Sequence, residues 1–110
     1  MIPVLVAGRA RVRFPRALLA SRRGVVRLRL RFDADVVGSL AVGDRRGRRL
    51  ARRTFVARRG VPMRVRLRVP SGTVRRLRRG PMAVRISLRL TLGSGRELRL
   101  SAPSSLRLAR

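Results

Sequence analysis

Met82-Ala83-Val84-Arg85-Ile86-Ser87-Leu88-Arg89-Leu90-Thr91-Leu92 sorts its side chains by parity. Met82, Val84, Ile86, Leu88, Leu90 and Leu92 fall on one side of an extended chain, and Arg85, Ser87, Arg89 and Thr91 on the other, because successive strand residues point to opposite faces. One face belongs in a core and the other in water. Val26 to Phe32 repeats the pattern, with Val26, Leu28, Leu30 and Phe32 inward and Arg27, Arg29 and Arg31 outward. Met63 to Val69 repeats it again, with Met63, Val65, Leu67 and Val69 opposed to Arg64, Arg66 and Arg68. Shorter runs at Arg11 to Phe14, Gly38 to Val42, Thr54 to Ala57 and Glu97 to Leu100, with an extra edge strand at Leu106 to Leu108, bring the expectation to about seven strands.

The punctuation between the runs agrees. Ser21-Arg22-Arg23-Gly24, Gly43-Asp44-Arg45-Arg46-Gly47, Arg58-Arg59-Gly60 and Gly93-Ser94-Gly95 carry glycine where turns need it. The last of these reads as a tight hairpin. Pro15, Pro62, Pro70 and Pro81 fall at strand ends, where a missing N–H spares the ladder. Only Thr73 to Arg79 has helical spacing, through Val74 and Leu77, and it reads as one helical turn crossing between sheets. The fold expected is all-β, an antiparallel β-sandwich with an Ig-like plan. Residues 1–10 are expected to be a lead or linker, 11–102 the sandwich domain, and 103–110 a C-terminal segment.

Thirty Lys+Arg, all of them Arg, stand against four Asp+Glu, for a formal charge of +26 over 110 residues. The chain also lacks Lys, Asn, Gln, His, Cys, Trp and Tyr, a pattern matching the codon usage of a GC-rich genome and accounting for Arg over Lys. The size of the charge is a separate matter: it attracts polyanions and works against compaction. Hydrophobic residues at 45% set the chain apart from a disordered basic tail. A slip of one residue in any alternating run would bury a row of guanidiniums, so register is strongly specified. Alternating Arg also keeps strand edges of different molecules apart.

Catalysis by proton transfer, nucleophile or metal draws mainly on His, Cys, Asp, Glu, Lys and Tyr, and here only Asp33, Asp35, Asp44 and Glu97 are on offer. Asp33 and Asp35 share a face if extended, which suits a Ca²⁺ site completed by backbone carbonyls, but their position between two strands favours a loop with Asx-turn bonding. Asp44 reads as a turn former, and Glu97 as a partner for an Arg across its hairpin. Gly93-Ser94-Gly95 lacks the Lys and following helix of a phosphate loop. Phe14, Phe32 and Phe55 fall in phase with apolar faces, as core residues do, which leaves no stacking platform for bases. No enzyme activity, cofactor or metal is expected.

The order Ser-Arg-Arg-Gly (21 to 24), an alternating strand, a basic hairpin, Phe-Val-Ala-Arg-Arg-Gly (55 to 60), an alternating strand, Val-Arg-Arg-Leu-Arg-Arg-Gly (74 to 80), another alternating strand and a terminal hairpin resembles Arg-rich Ig-like and fibronectin-type-III-like modules. Such modules occur in exported and cell-surface proteins of high-GC Gram-positive bacteria, often in tandem. The likeness runs from about Arg11 to Ala102, without the Cys, Trp or Tyr landmarks of true immunoglobulin domains. It implies a spacer or adhesion module with no active site, an extracellular or surface location within a longer chain, and neighbouring modules as partners. Met1 to Gly8, with Pro3 inside its short apolar stretch, makes a poor secretory signal, and no segment approaches the ~18 apolar residues of a membrane span.

The arginines themselves divide two readings. In one they are a solvated coat. In the other, the rows Arg27/Arg29/Arg31, Arg64/Arg66/Arg68 and Arg85/Arg89, with the loop sets Arg45, Arg46, Arg48 and Arg49 and Arg75, Arg76, Arg78 and Arg79, bind phosphate, sulfate or carboxylate groups through guanidinium forks. The partners expected are anionic polymers bound without specificity, envelope polysaccharide for an exported module. The alternative is a cytoplasmic nucleic-acid-binding protein held by phosphate electrostatics.

Overall fold

Residues 4–7, 10–13, 17–93 and 95–109 are described by a computed structural model, the first two ranges as backbone. β1 (Val4–Ala7) and β2 (Ala10–Arg13) pair antiparallel as a hairpin of their own, so the run beginning at Arg11 belongs to that hairpin. Phe14 and Pro15 lie outside the described residues. β3 (Ala17–Ala20), β4 (Val25–Leu30), β5 (Val36–Gly43), β6 (Arg49–Ala57), β7 (Met63–Arg68), β8 (Met82–Leu92) and β9 (Glu97–Leu108) make one seven-stranded sheet in the order β6-β5-β8-β9-β3-β4-β7. The helix α1 (Ser71–Leu77) lies between β7 and β8, two residues earlier than its spacing suggests, and buries Thr73, Val74 and Leu77.

The protein is mostly strand with one short helix, as expected, but the sheet is not wholly antiparallel. β3 runs parallel to β9, from Ala17 beside Ser105 to Ala20 beside Leu108, while its neighbours pair antiparallel. Nor do two separate sheets exist, since β3 is bonded to both sides. The link is narrow on one side: β3 pairs with β4 only at Ala20 and Val26. At the far side the edge strands β6 and β7 come against each other, and the sheet is nearly a barrel.

Parity does what the sequence demands. Leu28, Leu30, Val65, Leu67, Val84, Ile86, Leu88 and Leu90 are all in the buried cluster, joined by Phe32, Leu18, Leu40 and Leu106 from other strands. Every Arg between residues 17 and 109 is exposed. Leu106 to Leu108, expected as a separate edge strand, continues β9, and Pro103 falls where β9 has β8 on one side and has not yet met β3 on the other. A missing N–H is tolerated at such an open edge.

Turns hold the strands at fixed offsets. Asp44 Oδ1 accepts from the N–H groups of Arg46 and Arg48, both at 2.9 Å, closing the β5–β6 connection as an Asx turn. At the β3–β4 turn the Ser21 N–H donates to the Val25 carbonyl and the Gly24 N–H to the Ser21 carbonyl, each at 2.9 Å. The Leu92 N–H donates to the Arg96 carbonyl at 2.8 Å across the β8–β9 hairpin, whose Ser94 lies outside the described residues.

Candidate functional site

Strand register decides which guanidiniums meet. In the β4–β7 ladder Arg27 stands opposite Arg66 and Arg29 opposite Arg64, so the two rows read from the sequence share one outward surface. Arg68 continues it beside Val25, and Arg31 lies just past the end of β4. Like charges directly opposite on a sheet are unfavourable, so this surface is poised to gain from any bound anion.

Arg85 and Arg89 are elsewhere, on the outward face of the β6-β5-β8-β9 part of the sheet. Register lines that face up in rows. Thr54, Ser39, Arg89 and Arg99 form one; Arg52, Ala41, Ser87 and Ser101 the next; Arg49, Gly43, Arg85 and Pro103 a third. The middle strands thus carry small side chains where the neighbouring positions carry long ones, and a trough of about 420 Å³ results, bordered by Arg49, Arg52, Arg89 and Arg99 and floored by Ser39, Ala41, Ser87 and Ser101. The Arg85 guanidinium reaches along it to donate to Ser101 Oγ at 3.0 Å. A second hollow continues past Ala41, Gly43, Arg49, Arg85 and Pro103.

The loop sets divide as well. Arg45, Arg46 and Arg48 border one hollow with Arg76, whereas Arg75 and Arg78 border another with Arg22, Arg23 and Arg68. Arg79 is exposed after α1 and borders neither. Arg22, Arg23, Arg52 and Arg99 join these surfaces in addition to the rows that the sequence marks. Arg99 was legible from the outward parity of its strand, but Arg52 depends on the β5–β6 register, which shifts at Val42 and Gly43.

Three of the four carboxylates have defined places. Asp35 Oδ1 accepts from the Arg59 N–H at 2.7 Å, Asp44 is held in its turn, and Glu97 stands opposite Thr91 in the ladder, not opposite an Arg. Among the described residues no three His, Cys, Asp or Glu side chains gather as a metal set. Phe32 is buried and stacks on the half-buried Phe55 at 5.7 Å between ring centroids and 18° between planes. Both rings are therefore tied to the core. Among the described residues, no helix is long and apolar enough to cross a membrane.

No family model and no curated protein matches the sequence. Among solved structures, CopC from Methylosinus trichosporium OB3b is similar at 16% identity over 86% of this chain and 84% of that one, with a TM-score of 0.48.

Proposed function

We propose that this chain is a non-catalytic structural or adhesion module whose arginine surfaces hold anionic polymers by charge and by guanidinium hydrogen bonds. The observation that carries the reading is the exposure of every arginine between residues 17 and 109, with like charges opposed at Arg27/Arg66 and Arg29/Arg64. An array of this kind concentrates polyanions without reading their sequence, because contacts to phosphate or sulfate carry no base information.

An Ig-like plan is the finer form of the fold reading. What supports it is the single-pair link between β3 and β4, at which the sheet order separates β4 and β7 from β3, β9, β8, β5 and β6 around one apolar cluster.

The test is binding to heparin, duplex DNA and RNA across a salt series. Similar affinities at low salt are expected, with log K on duplex DNA falling by about 0.9 per phosphate contacted for each unit of log salt. Absence of binding to all three at low salt would show the arginines to be a solvated coat. A single oligonucleotide preferred by more than about a thousandfold at physiological salt would point instead to a sequence reader.

A further inference from the structure

We infer that the trough on the β6-β5-β8-β9 face is a discrete seat for an anionic polysaccharide, distinct from the diffuse charge of the β4–β7 surface. The inference rests on the polyanion reading above and names which polymer, and where.

The trough differs from the rest of the arginine coat in having a floor. On the β4–β7 surface guanidiniums oppose guanidiniums and nothing separates them. On the other face, Ser39, Ala41, Gly43, Ser87 and Ser101 form a contiguous set of small outward residues on three neighbouring strands. Strand spacing makes that floor about 10 Å wide from β5 to β9, and the four-residue step from Ser39 to Gly43 makes it about 13 Å long. Cations stand at its two ends, Arg89 with Arg99 and Arg85 with Arg49, and Arg52 stands at its β6 side.

Spacing of charge selects the ligand. Between the two cationic ends, Ala41 and Ser87 offer a flat patch with no charge of its own, flanked by Arg52 on β6 and by Ser101 on β9, whose Oγ accepts from the Arg85 guanidinium. Each strand of a DNA duplex presents a phosphate every ~3.4 Å along its axis, so a duplex would lay charged groups over that uncharged patch as well as over its rim. A polysaccharide with one acidic group per disaccharide places an uncharged, hydroxyl-bearing ring between successive charges, and such rings match Ser39, Ser87 and Ser101. Single-stranded nucleic acid is disfavoured on separate grounds, since Phe55 and Phe32 are stacked on each other and offer bases no platform. The second hollow beyond Arg85 lets an extended chain continue; Asp44 borders that end, but its Oδ1 already accepts two backbone N–H groups.

Shape and charge separate in one experiment. Titration calorimetry at physiological salt, where the exposed array is screened beyond about 8 Å, would compare a hyaluronan octasaccharide, whose carboxylate-bearing rings alternate with uncharged ones, with a short DNA duplex. Ala41→Leu/Ser87→Leu fills the floor and leaves the net charge untouched; it is expected to weaken the octasaccharide by about tenfold or more, with little change for the duplex. Arg85→Ser/Arg89→Ser, at exposed positions, is expected to act in the same direction, while Arg27→Ser/Arg29→Ser on the other face should cost less than about threefold. Thermal melts establish that each variant folds, and the serine pairs decide the question if the leucine pair does not. Octasaccharide binding unchanged by the filling variant, equal losses from the two serine pairs, or a loss confined to the duplex would each overturn the seat. Loss of low-salt binding by the wild-type protein to both probes would instead overturn the wider polyanion reading, and the seat with it.

Discussion

Gly38 shows how little room the core leaves at one backbone position. A Cβ built there would come within 2.6 Å of the Arg89 carbonyl oxygen, 2.8 Å of Leu90 Cδ2 and 3.1 Å of Phe55 Cζ. The nearest obstacle is the backbone of the paired strand, which cannot yield without breaking the ladder. Gly38→Ala is expected to cost about 2–3 kcal/mol, read from the urea midpoint, because overpacking forces neighbours off their positions. Gly24 has a different need: its φ of +82° lies in the left-handed region, and a side chain there would also meet the Val69 carbonyl at 2.8 Å. Parity supplies a second residue-level contrast. Leu30 and Ile86 are 2% and 0% exposed, so Leu30→Asp or Ile86→Asp should unfold the protein, whereas Arg29→Ser should be neutral within about a kcal/mol or stabilising. Circular dichroism melts of the four proteins would check the order, and greater damage from the arginine change would invert the assigned faces.

At the level of elements, the alternating strands were legible because burial and exposure are written in each residue pair, and β8 begins and ends at Met82 and Leu92 as its pattern predicts. β3 was not legible. Ala17-Leu18-Leu19-Ala20 has no polar member to mark its outward side, and Leu19 is 56% exposed although apolar. Its parallel pairing with β9 follows from tertiary geometry and leaves no local trace. The trough was hidden for a related reason: each small residue is unremarkable in its own strand, and only register across β5, β8 and β9 places Ala41, Ser87 and Ser101 side by side. The β4–β7 ladder carries its own expectation. Arg64→Glu/Arg66→Glu would convert two like-charged cross-strand pairs into opposite ones, each a gain of about 0.2–1 kcal/mol that should shrink at high salt. A lower denaturant midpoint for that variant at low salt would show the opposed rows to be splayed apart in solution.

For the whole molecule, +26 on a chain of 110 residues means that the folded state contains repulsion the unfolded chain largely escapes by expanding. Added salt should therefore raise the melting temperature over the same range in which it weakens polyanion binding, since both effects come from screening. A melting temperature that falls or stays level as salt rises would mean that the guanidiniums are already compensated. The parallel join of β3 to β9 has a further consequence for how the chain reaches this state. Residues near position 20 find their partners near position 108, so the first main-sheet strand stays incomplete while nearly all the rest is made. Contacts of such long range fold slowly, in about milliseconds to seconds for β-rich domains, whereas a ribosome adds only about 5–20 residues each second. Leu18 therefore waits exposed until Leu106 emerges, and a nascent arginine-plated chain spends that interval beside ribosomal RNA, the nearest polyanion of all.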